Sequence, residues 1–237
     1  MSIRDRLEPA EVERMFDRIA GPYDLMNRVM TAGLDRRWRA LAARESGVGR
    51  GATVLDACCG TGDLALELAQ LVGRSGQVTG LDFSAEMLQR AARKPRGEDA
   101  ASIEWVRGDA TAMPFADRSF AAATIAFGLR NLPDAEAGLR ELARVVRPGG
   151  RVVVLEITRP THEPLRSFYS LWFDRGIPAI GKVFDRGGAY AYLPASVRRF
   201  PGPDDLGEAF HRAGMVDVRY RLLAGGIVAL HVGEVVT

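Results

Sequence analysis

The chain has 237 residues, 47% hydrophobic and 26% charged, with 26 glycines and 12 prolines, a balance that excludes intrinsic disorder, collagen and extended coiled coil. Lys and Arg number 32 against 30 Asp and Glu, a net charge of +2, too small for the field of a dedicated nucleic-acid binder. Charges run through the N-terminus, and no apolar run reaches the roughly 18 residues that a membrane span needs. Neither a secretory leader nor a spanning segment is therefore expected, and any membrane contact is expected to be peripheral.

From Glu8 to about Ser46, Val12, Met15, Phe16, Ile19, Met26, Val29, Met30, Leu34, Trp38 and Leu41 recur mostly at intervals of three and four. With Gly21-Pro22 as a breaker, this spacing predicts two or three amphipathic helices. From Ala52 to about Thr158 short β-branched runs alternate with helical patterns. Strands are expected near Thr53-Val54-Leu55, from Gln77 to Leu81, at Ile103 to Val106, from Phe120 to Phe127 and from Arg151 to Ile157. Helices are expected between them from Leu64 to Leu71, Glu86 to Ala92 and Asp134 to Val146. Such alternation implies βαβ units and a parallel α/β sheet covered on both faces. An aromatic-rich stretch follows Pro160, then a helix from about Pro203 to Ala213. Two strand patterns around Gly225-Gly226 mark an antiparallel hairpin.

Open α/β sheets bind their ligands at the carboxyl ends of the strands, where the strand order reverses. After the first strand stand Asp56-Ala57-Cys58-Cys59-Gly60-Thr61-Gly62-Asp63. Gly60 and Gly62 permit a tight turn and close approach of a ligand to the backbone. Gly60 to Ala65 also fits the pattern G-x-G-x-x-A, so a nicotinamide enzyme is a competing reading. Against it, Asp63 puts a carboxylate where a pyrophosphate would sit, and so favours a cationic ligand. Asp82 closes the second strand where two ribose hydroxyls can be accepted, and Asp109-Ala110 after the third strand is placed to meet an adenine edge. Asp56, Asp63, Asp82 and Asp109 then surround a pocket suited to a nucleoside carrying a sulfonium and an ammonium, which is S-adenosylmethionine. Asp63 has an equal claim as a plain helix N-cap. Cys58 and Cys59 are adjacent and read as small packing residues of a reducing compartment, without metal-ligand spacing. His162, His211 and His231 have no partner spacing and read as surface or packing residues.

Several blocks carry a family resemblance: Tyr23-Asp24-Leu25-Met26-Asn27 leading to Trp38, Leu55-Asp56 through Asp63, and Gly80-Leu81-Asp82-Phe83-Ser84 with Met87-Leu88. Phe127-Gly128-Leu129-Arg130-Asn131, Arg144 through Gly150 with Glu156, Tyr190 through Leu193, Ser196, Phe200-Pro201, and Gly225 with Ile227 to Ala229 and His231 extend it. From about Glu11 to Gly233 the chain resembles the quinone-biosynthesis C-methyltransferases, a family of class I S-adenosylmethionine-dependent methyltransferases.

The resemblance implies a Rossmann-like, seven-stranded, mostly parallel sheet with helices on both faces, the last hairpin strand antiparallel and an N-terminal helical extension. It implies one domain, with residues 1–48 as extension or lid, 50–158 as the cofactor-binding half and 159–237 as the substrate side. The cofactor would be S-adenosylmethionine, held by Asp56, Gly60, Thr61, Gly62, Asp82, Asp109 and Ala110, with no metal. The acceptor would be a polyprenyl hydroquinone, demethylmenaquinol or a 2-methoxy-6-polyprenyl-benzoquinol, contacted by Tyr23, Met26, Asn27, Arg130, Trp172 and Tyr192. Arg130, Asn131 and Asp82 would be catalytic, activating a water that takes the phenolic proton; a guanidinium stays protonated, so Arg130 is expected to hold phenolate or water. The chain departs from the family with Thr31 and Asp35, where relatives carry Ser and His, and with Ala126, where relatives often carry Ser. The Asp35 departure leaves a non-catalytic subunit as a competing reading. Leu165, Phe168, Tyr169, Trp172, Phe173 and Ile177 have the spacing of one helical face and would wall a channel for the prenylated ring. Arg166, Arg175, Lys182, Arg198 and Arg199 would face anionic lipid. A cytoplasmic protein peripheral to the inner face of the membrane, with a homodimer as a further expectation, completes the reading.

Overall fold

The computed structural model describes residues 9–160 and 189–236, together with Glu163, Tyr169 and Gly176. Three helices open it: α1 (Pro9–Ile19), α2 (Tyr23–Thr31) and α3 (Leu34–Glu45). Gly21-Pro22 separates the first two, as their spacing predicts. The second and third are divided by Ala32 and Gly33, both at positive φ, a left-handed pair that reverses the chain sharply. Then follow β1 (Thr53–Ala57), α4 (Asp63–Val72), β2 (Gln77–Asp82), α5 (Ala85–Arg93), β3 (Ser102–Arg107), β4 (Phe120–Ala126), α6 (Ala135–Val145) and β5 (Val146–Ile157). The described chain closes with α7 (Ala189–Arg199), α8 (Pro203–Arg212), β6 (Met215–Leu223) and β7 (Val228–Val235).

The seven strands form one sheet in the order β3-β2-β1-β4-β5-β7-β6. β1 to β5 pair in parallel, and β7 runs antiparallel to both β5 and β6. The β6–β7 turn falls at Ala224–Gly226, where the sequence puts the hairpin. Pro148-Gly149-Gly150 shifts the β4–β5 register, since proline gives the ladder no N–H and a Cβ on Gly150 would stand 2.4 Å from the Ala121 carbonyl.

Alternation along the strands assigns each face its own core. Leu55, Ala57, Ala123 and Ile125 pack with Leu139 and Leu142 of α6 and Leu206 and Phe210 of α8. Val54, Val78, Ala122 and Val153 face the other way, onto Ala42 and Ala43 of α3 and Leu64 and Leu68 of α4. With both faces buried, the open ground of the sheet is the carboxyl end, and the order reverses there between β1 and β4. The helices α1 and α2 lie over that end, α1 packing Val12 and Met15 with Phe16, Ile19, Phe83 and Tyr192. Of the aromatic stretch after Pro160, Leu165, Phe168, Trp172, Phe173 and Ile177 lie outside the described residues, as do Arg166, Arg175 and Lys182; Tyr169 is buried beside Met26 and Val197.

Candidate active site

The loop after β1 carries three left-handed residues within five, Cys58 at φ 49°, Gly60 at 54° and Gly62 at 82°. The two glycines serve different ends. A Cβ on Gly62 would stand 2.6 Å from the Trp105 ring and 3.0 Å from Ala91, so its lack of a side chain lets the loop pack on β3 and α5. A Cβ on Gly60 would meet nothing within 4 Å, so the space above it is open.

Gly60 ties the loop to the next strand. Its amide donates to Asp82 Oδ2 at 2.8 Å, and the Ser84 amide donates to Oδ1 at 2.9 Å. Burial pushes the Asp82 carboxyl up to about 6, because the interior penalises its charge more than two amides repay. Asp82, Asp109 and Ala110 line one cavity of about 200 Å³ with Leu81, Phe83 and Cys58. Asp109 closes the β3 loop by accepting the Thr111 amide at 2.7 Å.

The four carboxylates that the sequence reading sets around one pocket are divided. Asp82 and Asp109 line the cavity. Asp56 is buried beneath the loop, where Oδ1 accepts the Thr124 hydroxyl at 3.0 Å while Oδ2 has no partner. Burial, the largest influence, pushes the Asp56 carboxyl up to about 7. Asp63 begins α4 without capping it; Lys94 Nζ reaches it at 2.5 Å and Asp24 of α2 at 2.7 Å. The Thr61 hydroxyl donates to Asp24 at 2.5 Å and accepts from Lys94 at 3.0 Å. This cluster fastens α2 to the first glycine loop. Ser84 donates to Asp17 of α1 at 2.5 Å, a second fastening beside Asp82.

A second group of candidate residues is built at the end of β4. Phe127 holds φ 60°, an uncommon conformation for a bulky residue, and directs its carbonyl at the short turn Leu129–Asn131. That carbonyl accepts from Arg130 Nη1 at 2.5 Å and from Asn131 Nδ2 at 3.3 Å. Arg130 Nη1 also meets Glu156 Oε1 at 2.7 Å. Two atoms of the turn, Arg130 Nε and Asn131 Oδ1, are buried with no partner among the described residues, one a donor and one an acceptor.

Tyr23, Asn27, Arg130 and Tyr192 line one cavity together with Met30 and Phe16. The Asn27 side chain hydrogen-bonds Tyr23, and burial pushes the Tyr23 phenol up, so it stays protonated at neutral pH. Met26, grouped with these residues in the sequence reading, packs instead against Tyr169 and Val197. At 3.6 residues per turn Met26 stands about 60° from Tyr23 and about 100° from Asn27 around α2, on the flank of the side that lines the cavity. Trp172 lies outside the described residues. Between the two cavities a third is lined by Phe16, Tyr23, Cys58, Gly60, Asp82 and Asn131, so walls are shared along one path from Asp109 to Tyr192.

Asp35 is not an orphaned departure. It accepts the Thr31 hydroxyl at 3.1 Å and pairs with Arg39, whose guanidinium lies 5.3 Å over the Phe127 ring. Burial pushes the thiols of Cys58 and Cys59 well up, which leaves them protonated packing residues. His231 stacks on Phe210 and shares a hydrogen bond with the Pro203 carbonyl at 2.8 Å, far along the sheet from Asp82. Lys94, Asp24 and Asp17 carry no sequence signal for their roles, because their partners stand 30 to 70 positions away.

The residues fit S-adenosylmethionine: a buried acid ends β2, open space lies over Gly60, and Asp56 offers an unpartnered oxygen beneath the loop. Compared with known families, residues 4–235 match the ubiE/COQ5 methyltransferase family. The chain belongs to that family. It is 44% identical over 236 residues to the demethylmenaquinone methyltransferase of Desulfitobacterium hafniense, covering 99% of this chain and 93% of that one. To the Staphylococcus aureus demethylmenaquinone methyltransferase it is 40% identical over 224 residues, 94% and 92% of the two chains. A solved S-adenosylmethionine-dependent methyltransferase from Aquifex aeolicus superposes with a TM-score of 0.59 at 18% identity, covering 98% and 100%. The family member described here is a methyltransferase that uses S-adenosylmethionine. Among the described residues no cluster of His, Cys, Asp or Glu is set to hold a metal ion, and no helix is long and apolar enough to cross a membrane.

Proposed function

We propose that the chain methylates a ring carbon of a polyprenyl hydroquinone, demethylmenaquinol, as one unit in which residues 1–48 form the lid, 50–158 hold the cofactor and 159–237 face the acceptor. The observation that supports this reading is the pair of buried atoms Arg130 Nε and Asn131 Oδ1, without partners among the described residues, in two residues that line the cavities. A phenolic hydroxyl or a bound water needs one donor and one acceptor, and this pair supplies both.

Asp82 would hold the ribose and Asp109-Ala110 the adenine edge; Gly60, Thr61, Gly62 and Asp56 would form the bed of the amino-acid end. When bound, S-adenosylmethionine supplies an electrophilic methyl group and a neutral thioether leaving group. The acceptor carbon becomes nucleophilic once its neighbouring hydroxyl, with a pKa of about 10, loses its proton; after taking up the methyl group that carbon releases its own hydrogen as a proton, and the ring regains its aromaticity and its hydroxyl. Arg130 would hold the resulting oxyanion through Nε while Asn131 orients the hydroxyl or its water. Asp82 is an acid of raised pKa whose deprotonated form can take that proton through the water. Tyr23 and Phe16, shared by two cavities, would exclude bulk water, and alignment supplies much of the rate.

Both curated relatives above carry the demethylmenaquinone name, which favours the naphthoquinol over the benzoquinol of ubiquinone biosynthesis. The same relatives are named as methyltransferases, which favours an enzyme over a non-catalytic subunit. An acceptor with a long prenyl tail resides in the bilayer, so a cytoplasmic enzyme would meet it at the membrane surface. Mass spectrometry of turnover with short-tail demethylmenaquinol and with methoxy-benzoquinol tests the reading; methylation of the benzoquinol alone, or of neither ring, overturns it.

A further inference from the structure

Helix α2 has two faces of opposite use. Tyr23, Asn27 and Met30 turn inward to the acceptor cavity, and Met26 is buried beside them. Leu25, Arg28 and Val29, at helical positions opposite to these, turn outward; Leu25 is 61% exposed and Val29 60%. The chain then reverses at Ala32 and Gly33, and α3 begins with Leu34, 38% exposed. Arg36 and Arg37 follow it, both exposed like Arg28. None of these three arginine side chains has an ion pair or hydrogen bond among the described residues; Arg36 acts on the half-buried Glu67 only at longer range. Three large apolar side chains and three cations without partners among the described residues thus stand exposed between positions 25 and 37, a combination that water accommodates poorly and an anionic interface accommodates well.

We infer that the α2–α3 corner docks on an anionic bilayer surface. Leu25, Val29 and Leu34 enter the headgroup boundary, and Arg28, Arg36 and Arg37 meet lipid phosphates. The proposal rests on the acceptor reading above in one respect: the inner face of the same helix lines the cavity for the ring, so a tail leaving that cavity reaches the bilayer along α2. Charge complementarity selects the lipid over an apolar protein partner. A second copy of this chain would bring the same three arginines against each other across a two-fold axis.

The test uses the full chain and vesicles of phosphatidylcholine alone or with phosphatidylglycerol, without any quinone. Sedimentation with the phosphatidylglycerol vesicles is expected, weakening severalfold between low and physiological salt, with little binding to phosphatidylcholine alone. Leu25→Asp with Val29→Asp should reduce vesicle binding at least tenfold, and Arg28→Glu with Arg37→Glu should remove the preference for the anionic lipid. Circular dichroism and S-adenosylmethionine calorimetry on each variant, unchanged within twofold, show that the lid remains folded. Vesicle binding by both variants at the parent level overturns the proposal, as does a parent dimer in size-exclusion chromatography that the Asp variants break. Failure of the acceptor reading is seen separately, as lack of turnover with short-tail quinols in detergent, where the vesicle arm plays no part.

Discussion

Arg130 and Glu156 form a buried ion pair, Nη1 to Oε1 at 2.7 Å, with side chains 8% and 1% exposed. Glu156 also accepts the Arg130 amide at 3.3 Å and the Ile157 amide at 2.8 Å, so the strand end fixes the carboxylate and the carboxylate fixes the guanidinium. Nε is left buried and without a partner among the described residues. Glu156→Ala would leave a buried cation uncompensated, at a cost of about 3–5 kcal/mol. The milder Glu156→Gln keeps the shape. It is expected to leave S-adenosylmethionine affinity within about twofold while lowering kcat by about tenfold or more, since small misplacement of a positioned group is costly. Arg130→Lys should do the same, because lysine lacks the planar fork. The two changes together should cost little more than either alone. Additive losses in kcat would show that Glu156 does not act through Arg130.

The two glycines of the first loop should respond oppositely to one added methyl group. Gly60→Ala meets open space, so it is expected to fold with a loss of about 1 kcal/mol from its left-handed backbone while weakening S-adenosylmethionine binding strongly. Gly62→Ala meets Trp105 at 2.6 Å and should lower Tm by several degrees. Denaturation and calorimetry on the pair check this; unchanged cofactor affinity in Gly60→Ala would remove the loop from the cofactor site.

Burial raises Asp82 to about 6 and Asp56 to about 7 from a usual 3.8. The folded chain therefore keeps protons that the unfolded chain releases, and the stability linked to these groups is full below about pH 4 and lost as pH rises through 6 and 7. Asp56→Asn is expected to raise Tm by about 3–6 °C at pH 8 and hardly at all at pH 4. Cofactor binding has the opposite trend at Asp82, weakening as pH falls below about 6 and the ribose acceptor is protonated. A flat affinity from pH 8 to pH 5 would exclude Asp82 from ribose binding, and Asp82→Ala should abolish binding with the fold retained.

Lys94 bridges Asp24 of α2 and Asp63 of α4, all three partly buried. Lys94→Ala leaves two carboxylates facing each other across that gap. Faster amide exchange in α2 than in β1 or β4 is expected, with a higher KM for S-adenosylmethionine, measured by hydrogen exchange and steady-state kinetics. Unaltered exchange in α2 would mean that apolar packing of Met15, Met26 and their neighbours holds α1 and α2 without the ions.

The sequence by itself determined the alternation of strands and helices, the terminal hairpin and the acids ending β1, β2 and β3, because each rests on local periodicity or on turn chemistry within a few residues. Gly60, Gly62 and Asp82 were legible for that reason, and Arg130-Asn131 through the family motif. Only the tertiary structure decided what those residues touch. It buried Asp56 below the loop, turned Met26 from the cavity to the core, and gave Asp63 to Lys94. It also paired Arg130 with Glu156 across 26 positions and Asp24 with Thr61 across 37. A side chain's partner across such separations follows from how the sheet and the N-terminal helices are packed, and burial, which raises the acids at Asp56 and Asp82, exists only once that packing is complete.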